Sequence, residues 1–248
     1  MKRLLGILLV TLVAWFSASA SSNKITKEKF EFAGKQRTYY LYVPDNITAT
    51  SSAPLILLLH GSNRNGLSLV EKWKELARKE GIILVGPDSA DSSRWTLDND
   101  GTEFLNELIA LVKSTHPVDS RRVYIFGHSG GAIMAVLISL LESEYFAATA
   151  IHAGLLDPGD YRLIDYAKRK IPFAIFVGDR DPLFPFSQVA ATRDVLKAKA
   201  FPVELTKIAN HDHWYYDLAP KINQSAWDFL KAHSLSEEPR YQQYHLTR

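Results

Sequence analysis

The chain has 248 residues, of which 46% are hydrophobic and 23% are charged, an ordinary composition for one large globular domain. The formal net charge of +2 gives no basic or acidic excess of the kind that favours nucleic acid or a membrane surface, so we expect neither partner. The absence of cysteine excludes disulfides, cysteine-ligated zinc and a cysteine nucleophile.

The first twenty residues have the pattern of a secretory signal peptide. Met1-Lys2-Arg3 is basic, residues 4–16 are almost wholly apolar, and Ala18-Ser19-Ala20 provides a cleavage site of small residues. An uncleaved membrane anchor is the alternative, although the apolar run is short for a span. Cleavage after Ala20 removes two cations and no acidic residue, which lowers the formal charge from +2 to 0. We therefore predict a secreted or periplasmic protein without stable membrane insertion after cleavage.

Beyond residue 20 the sequence predicts a hairpin and then alternating strands and helices. Residues 29–42 alternate apolar and polar side chains around Gly34-Lys35, which indicates an antiparallel hairpin. Residues 54–59 are continuously apolar, as in a strand that is buried on both faces of a parallel sheet.

The remaining elements follow the same alternation. In chain order we predict a helix at 67–79, a strand at 82–85, a helix at 103–113, a strand at 123–126, a helix ending near 142, strands at 147–151 and 173–177, a helix at 187–198, a strand at 203–208 and a helix at 222–232. Strands that alternate with helices predict an α/β fold with a mainly parallel sheet and helices on both faces. The connection at residues 154–171 is too short for a large lid.

The turn after the strand at 123–126 reads Gly127-His128-Ser129-Gly130-Gly131 and is followed by a helix-like apolar run. A Gly-x-Ser-x-Gly turn between a strand and a helix is the nucleophile elbow of the α/β-hydrolase fold, in which small neighbours let the serine Oγ stand clear of the sheet. A glycine-rich turn that only packs a helix on a strand is the alternative. The context predicts that Ser129 is a nucleophile.

A nucleophilic serine needs a base, usually histidine, and the histidine needs an acid that orients it. In this fold the chain order is serine, acid, histidine. The acid candidates are Asp179 and Asp181, in the loop that follows the strand at 173–177. This loop lies at the carboxyl edge of the sheet, where active sites of open α/β folds occur. Pro182 fixes the turn after Asp181, so we prefer Asp181.

The base candidates are His211 and His213, in the loop between the strand at 203–208 and the last helix. Only one of them can lie within about 3 Å of the serine Oγ as a general base. A metal pair is the alternative, but no third ligand is evident, and we expect no metal and no cofactor. We expect His128 to face helix packing or the rim of the pocket.

The oxyanion of the tetrahedral intermediate needs backbone N–H donors. Gly130, directly after the serine, is expected to supply one of them. The second is expected from the loop His60-Gly61-Ser62-Asn63, which follows the strand at 54–59. We favour the Ser62 amide, with the Asn63 amide as the second choice.

Four segments together resemble the esterase/poly(3-hydroxybutyrate) depolymerase group of α/β-hydrolases, which includes feruloyl and acetylxylan esterases. They are Leu59-His60-Gly61, the run from Val118 to Gly131, Gly178-Asp179-Arg180-Asp181-Pro182 and Asp212-His213-Trp214-Tyr215-Tyr216. In such families the acid sits three residues after the glycine of the strand-end loop, which implies Asp181. The Asp-His-x-Tyr-Tyr motif also resembles formylglutathione hydrolases and implies that His213 is the base.

The resemblance implies an exported serine esterase that acts on small-molecule or saccharide esters. No binding module or serine-rich linker is present, so a plain esterase is preferred to an enzyme that degrades an insoluble polymer. A serine peptidase of the same fold and a catalytically inactive binding protein are the alternatives.

Five aromatic residues fall in or beside loops near the carboxyl edge of the predicted sheet, namely Trp95, Phe184, Phe186, Trp214 and Tyr215. We predict that Trp95, Phe184 and Trp214 bind substrate, and we expect at least half of the five to serve packing.

The sequence as a whole predicts three parts. They are the signal peptide at 1–20, a catalytic domain of the α/β-hydrolase fold at 21–233 and a polar tail at 234–248.

Overall fold

The computed structural model of the chain describes residues 23–48 and 50–242. The predicted signal peptide lies outside the described residues, as does the end of the tail at residues 243–248. Among the helices of the described residues, none has the length and apolar character that crossing a membrane requires.

Strands and helices alternate along the described part of the chain, as predicted. The strands are β1 (Thr26–Phe32), β2 (Lys35–Tyr42), β3 (Ala53–Leu59), β4 (Ile83–Pro87), β5 (Val118–His128), β6 (Ala148–His152), β7 (Phe173–Gly178) and β8 (Val203–Ile208). The helices are α1 (Leu67–Glu80), α2 (Leu97–Asp100), α3 (Thr102–Thr115), α4 (Gly130–Leu141), α5 (Phe186–Ala198) and α6 (Tyr215–Leu230). A 3₁₀ helix at Pro158–Tyr166 lies between β6 and β7.

The strands form one sheet in the order β1-β2-β4-β3-β5-β6-β7-β8. The β1–β2 and β2–β4 pairs are antiparallel and the other pairs are parallel. The turn from β1 to β2 consists of Ala33 and Gly34 at φ values of 49° and 72°, the backbone that a tight two-residue hairpin turn requires. The predicted α/β fold, with a mainly parallel sheet and an N-terminal antiparallel hairpin, is confirmed.

Alternate side chains of β3 belong to two different cores. Leu55, Leu57 and Leu59 pack with α3, α4 and α5 on one face of the sheet, whereas Ile56 and Leu58 pack with α1 and α6 on the other. This follows from the two-residue period of a strand and explains why the run is continuously apolar. The prediction of helices on both faces is therefore confirmed.

Some predicted element boundaries are wrong. Helix α6 begins at Tyr215, seven residues before the predicted start, and contains Pro220. Burial of Tyr215, Ala219 and Ile222 at helical spacing against the second core holds this first part of the helix, although proline within a helix removes a hydrogen bond. The short helices α2 and Pro158–Tyr166 were not predicted.

The 3₁₀ helix and the beginning of the tail both pack on the body of the fold. Leu163 and Ile164 of the 3₁₀ helix are buried in the first core. The beginning of the tail also packs on the body, because Leu235 is buried in the second core and the Gln242 amide donates to the Glu142 carboxylate at 2.6 Å.

A buried ion pair ties the segment between β4 and α3 to the sheet. Arg37 Nη2 on β2 lies 2.6 Å from Asp100 Oδ1, and the two side chains are 9% and 1% exposed. The same guanidinium donates to the carbonyl oxygens of Asn99 and Asp88 and lies 3.7 Å from the centre of the Phe104 ring. This segment carries Trp95 to the functional edge of the sheet.

Replacement of Arg37 by methionine is expected to lower the free energy of unfolding by about 3–5 kcal/mol, because it leaves a buried carboxylate without its cation. Urea-induced unfolding measures this loss. Arg122→Met is the control, since its pair with Asp119 at 2.7 Å is partly exposed and should contribute about 1 kcal/mol or less. Equal losses in the two variants would contradict the role of the Arg37–Asp100 pair.

Candidate active site

Four loops meet at the carboxyl edge of the parallel strands. They follow β3, β5, β7 and β8, and they carry the residues that the sequence singled out. Because the carboxyl ends of parallel strands lie along one edge of a sheet, residues that are far apart in the chain become neighbours there.

The turn after β5 holds Ser129 in a strained backbone conformation. Its φ and ψ are 55° and −121°, a region that residues with a Cβ rarely adopt. A Cβ on Gly127 would lie 2.3 Å from the carbonyl oxygen of Gly131, and one on Gly131 would lie 2.0 Å from that of Leu59. The turn therefore requires glycine at both positions. The Ser129 amide donates to the carbonyl oxygen of His152 at 3.1 Å and fixes the serine between β5 and β6.

Ser129, His213 and Asp181 form one hydrogen-bonded line. His213 Nε2 lies 2.9 Å from Ser129 Oγ, and His213 Nδ1 lies 3.0 Å from Asp181 Oδ2. The Asp181 side chain is fully buried, and that of His213 is 21% exposed. With the Nδ1 proton donated to the carboxylate, Nε2 is free to accept the proton of the serine hydroxyl. This arrangement can activate a serine nucleophile.

The carboxylate of Asp181 is oriented by its own loop. Its Oδ1 accepts the amides of Leu183 and Phe184, each at 2.9 Å, so Oδ2 faces His213. Asp179 is exposed. Asp212 is exposed as well and accepts the Trp214 amide at 2.8 Å. Of these three carboxylates, Asp181 is therefore the one that the fold brings to the histidine.

Two backbone amides lie close together beside Ser129. A Cβ on Gly130 would lie 3.6 Å from the Ser62 nitrogen and 2.7 Å from Ser62 Oγ, so the two amides are close neighbours. Among the described residues, neither amide has a hydrogen-bond acceptor. The Asn63 amide, the alternative donor, instead donates to the carbonyl oxygen of Ser92 at 2.7 Å. Ser62 and Gly130 can thus hold a negative oxygen between them.

His60 fixes the direction of the Ser62 amide. Its Nδ1 lies 2.8 Å from the carbonyl oxygen of Gly61, and its Nε2 accepts the Ser89 amide at 3.1 Å. Burial lowers the pKa of His60, which keeps the ring neutral and able to accept at Nε2. Because the carbonyl and the next amide of a trans peptide point in opposite directions, the Ser62 N–H points away from His60.

Ser62 lines two cavities. The larger, of about 420 Å³, is lined by Gly61, Ser62, Asn63, Arg64, His128, Ser129, His213, Trp214 and Tyr216. The smaller, of about 220 Å³, is lined by Ser62, Arg94, Trp95, Leu97, Gly130, Ile133, Met134 and Leu137. Ser129 lines the larger cavity, whereas Gly130, the next residue, lines the smaller.

The predicted aromatic residues take different places. Trp214 is 44% exposed at the larger cavity, and Trp95 lines the smaller one while its Nε1 donates to the carbonyl oxygen of His60 at 2.8 Å. Phe184 lines neither of these two cavities but stacks on the His213 ring, with ring centres 5.6 Å apart. Tyr215 is fully buried in the second core, and Phe186 packs against the first.

Three buried histidines lie beside the hydrogen-bonded line of Ser129, His213 and Asp181. His128 Nδ1 and His152 Nδ1 are 3.0 Å apart, as are His152 Nε2 and His211 Nε2, while the His128 ring lies 5.1 Å from that of His213. Each close pair of nitrogens needs one donor and one acceptor, which neutral rings supply. No group of three or more metal-ligating side chains occurs in the described part of the chain.

No sequence pattern described above predicts a role for His152. Its position at the carboxyl end of β6 was the signal available, because the neighbouring strands β5 and β7 carry Ser129 and Asp181 at their carboxyl ends.

Comparisons with known proteins identify the family of the chain. Residues 31–245 match a family model described as "Esterase: Putative esterase". The bifunctional acetylxylan esterase/xylanase XynS20E of Neocallimastix patriciarum is 28% identical over 160 residues, which is 63% of this chain and 23% of that protein. Feruloyl esterase B of Talaromyces stipitatus is 27% identical over 165 residues, which is 61% of this chain and 45% of that protein. The chain thus spans less than half the length of both relatives.

Solved structures share the fold. A thermostable esterase superposes with a TM-score of 0.70 at 20% identity and covers 85% of this chain and 63% of its own. A ferulic acid esterase superposes with a TM-score of 0.69 at 15% identity and covers 84% of this chain and 98% of its own. The predicted α/β-hydrolase fold and the resemblance to the esterase group are confirmed.

The buried histidines should make the stability of the folded state sensitive to acid. Burial, together with the neighbouring imidazoles, lowers the pKa of His128 to about 3 and that of His152 well below the ordinary value. Unfolding returns these rings to an ordinary pKa of about 6.5, so the unfolded chain binds protons that the folded chain excludes. The contribution of these two rings to the free energy of unfolding is therefore present in full above about pH 6.5, and it falls as the pH is lowered toward 3.

His152→Gln removes one of these groups. The variant is expected to be less stable than the wild type at pH 7, and this deficit should shrink as the pH is lowered below about 6.5, because the wild type alone then loses the contribution of His152. Urea-induced unfolding of both proteins at several pH values measures the difference. A deficit that is the same at pH 7 and pH 4 would show that exclusion of a proton from this site does not contribute.

Proposed function

The chain belongs to the esterase family whose model matches residues 31–245, and we propose that it is an exported serine hydrolase that cleaves carboxylic esters through an acyl-enzyme intermediate. The observation that carries the proposal is the contact of His213 Nε2 with Ser129 Oγ at 2.9 Å while Nδ1 of the same ring lies on the buried carboxylate of Asp181. An isolated serine hydroxyl is a weak nucleophile, and this contact supplies its base.

In the first step, His213 Nε2 takes the proton of Ser129 as the serine Oγ attacks the ester carbonyl carbon. The carbonyl oxygen becomes negative and accepts the amides of Ser62 and Gly130. Asp181 stabilises the imidazolium and keeps it in the required orientation. The Ser62 amide is oriented before the substrate arrives, because the hydrogen bonds of His60 fix the Gly61–Ser62 peptide.

The intermediate then collapses. The bond between the carbonyl carbon and the alcohol oxygen breaks, His213 gives its proton to that oxygen, and the acyl group remains on Ser129. Water enters on the side of His213, loses a proton to Nε2 and attacks the acyl carbon. Release of the carboxylic acid returns the proton to Ser129 Oγ. Every proton in this sequence is carried by the chain's own residues, so the mechanism uses no cofactor and no metal.

Export is proposed from the first twenty residues, in which a basic start, an apolar run and a small-residue site follow one another. The names of the relatives favour small or saccharide esters as substrates. Trp95 and Trp214 line the two cavities and are proposed to contact such substrates, and Phe184 contributes through its stacking on His213.

Ser129→Ala is expected to lower kcat/KM for an aryl acetate by about 10⁴-fold or more, as loss of a nucleophile does. His213→Ala should lose nearly as much, since the hydroxyl then has no base. His211→Ala is the matched control, because this histidine lies two residues away and contacts His152 rather than the serine. It should lose far less. Activity of each variant is measured after circular dichroism shows that it is folded.

A reversed order, with His211→Ala inactive and His213→Ala active, would mean that the base is assigned wrongly. Substantial turnover by folded Ser129→Ala would overturn the nucleophile itself. Peptide substrates assayed in parallel separate an esterase from a peptidase of the same fold, and the esterase proposal requires that the ester be the faster substrate.

A further inference from the structure

The two cavities beside Ser129 differ in chemistry. The walls of the smaller one are mainly apolar, with Leu97, Ile133 and Leu137 among them. The larger one is lined by imidazole, indole and phenol rings together with one guanidinium, that of Arg64. Among the described residues that line the larger cavity, Arg64 has the one side chain with a permanent charge.

The reaction assigns one half of the ester to each cavity, and this assignment rests on the proposed function. His213 gives its proton to the leaving oxygen, so the alcohol must lie on the side of His213, which lines the larger cavity. Gly130 lines the smaller cavity and His213 does not. The acyl group therefore occupies a small apolar space, and the alcohol occupies the larger, polar one.

Arg64 is held at both ends. Its amide donates to the carbonyl oxygen of Gly61 at 3.2 Å, within the loop that carries the Ser62 amide. Its guanidinium carbon lies 5.1 Å from the centre of the Trp214 ring and 5.3 Å from that of Tyr216. These two rings are themselves 5.0 Å apart. A guanidinium placed over aromatic faces keeps its N–H donors at the edge, where a ligand can reach them.

The charge of Arg64 is not neutralised by a carboxylate. In the part of the chain that the structure describes, Arg64 forms no ion pair, whereas Arg94 beside the smaller cavity faces Asp91 at 3.5 Å. Two carboxylates lie near these rings in sequence, those of Asp212 and Asp217, and neither lines the cavity. Asp212 instead accepts the Trp214 amide. The cation thus faces the place of the leaving alcohol.

We propose that the larger cavity binds an alcohol that carries a carboxylate, and that Arg64 determines this specificity by pairing with it. A guanidinium matches the two oxygens of a carboxylate with parallel hydrogen bonds. The aromatic faces of Trp214 and Tyr216 pack beside the ring of the same alcohol. The substrate class is therefore an ester of a small apolar acid with a carboxylate-bearing phenol or sugar.

The test compares two acetate esters that differ in charge, 3-acetoxybenzoate and 3-acetoxybenzamide. Arg64→Gln is expected to lower the ratio of kcat/KM for the anionic ester to that for the neutral ester by about tenfold, chiefly through a higher KM. Added sodium chloride should lower the same ratio in the wild type and have little effect on it in Arg64→Gln.

Arg180→Gln is the matched control. Arg180 is another exposed arginine at this edge, where its side chain donates to Asn210 at 2.5 Å, but it lines neither cavity. The ratio should stay at the wild-type value in this variant. A ratio that is unchanged in Arg64→Gln, or lowered equally in both variants, overturns the role of Arg64.

Ser129→Ala distinguishes failure of this inference from failure of the proposed function. If Ser129→Ala is inactive on both esters while Arg64→Gln leaves the ratio unchanged, the assignment of Arg64 alone is wrong. If Ser129→Ala keeps the wild-type rate, or if the wild type hydrolyses neither ester, the proposed function is wrong and the assignment of Arg64 falls with it.

Discussion

The backbone of Gly131 lies against the end of β3, and the geometry of the site depends on this contact. A Cβ at Gly131 would lie 2.0 Å from the carbonyl oxygen of Leu59 and 2.5 Å from that of His60, so no side chain fits there. The approach brings the start of α4 beside the loop after β3, which makes the Gly130 and Ser62 amides neighbours. It also maintains the strained turn from which Ser129 projects, at a cost that the surrounding core offsets.

Burial determines which side chains near Ser129 carry a charge. Asp181 is fully buried, and its carboxylate is stabilised by the amides of Leu183 and Phe184 as well as by His213. Behind it, His128 and His152 are kept neutral, because burial makes their protonation costly. His128 and His152 therefore add no positive charge beside His213, while the guanidinium of Arg64 lies on the open side where the alcohol would leave.

Much of this arrangement could be predicted from the sequence because two simple rules of parallel sheets apply. Apolar runs identify strands buried on both faces, and residues just after such strands meet at one edge. These rules identify loops, but they do not determine which side chain of a loop turns inward. Two residues apart, His211 turns to His152 and His213 turns to Ser129, and extended-strand spacing alone would place both on one side. The Asn63 amide is occupied by Ser92, a tertiary contact that local sequence does not reveal.

The central claim is that Ser129 is an activated nucleophile, and covalent trapping tests it most directly. Folded protein is incubated with a fluorophosphonate, digested, and mapped by mass spectrometry. The account predicts a single adduct on Ser129, which is lost when the protein is unfolded beforehand, since activation depends on the contact with His213 and not on the serine itself. An adduct on another residue, or none on Ser129 in folded protein, would contradict it.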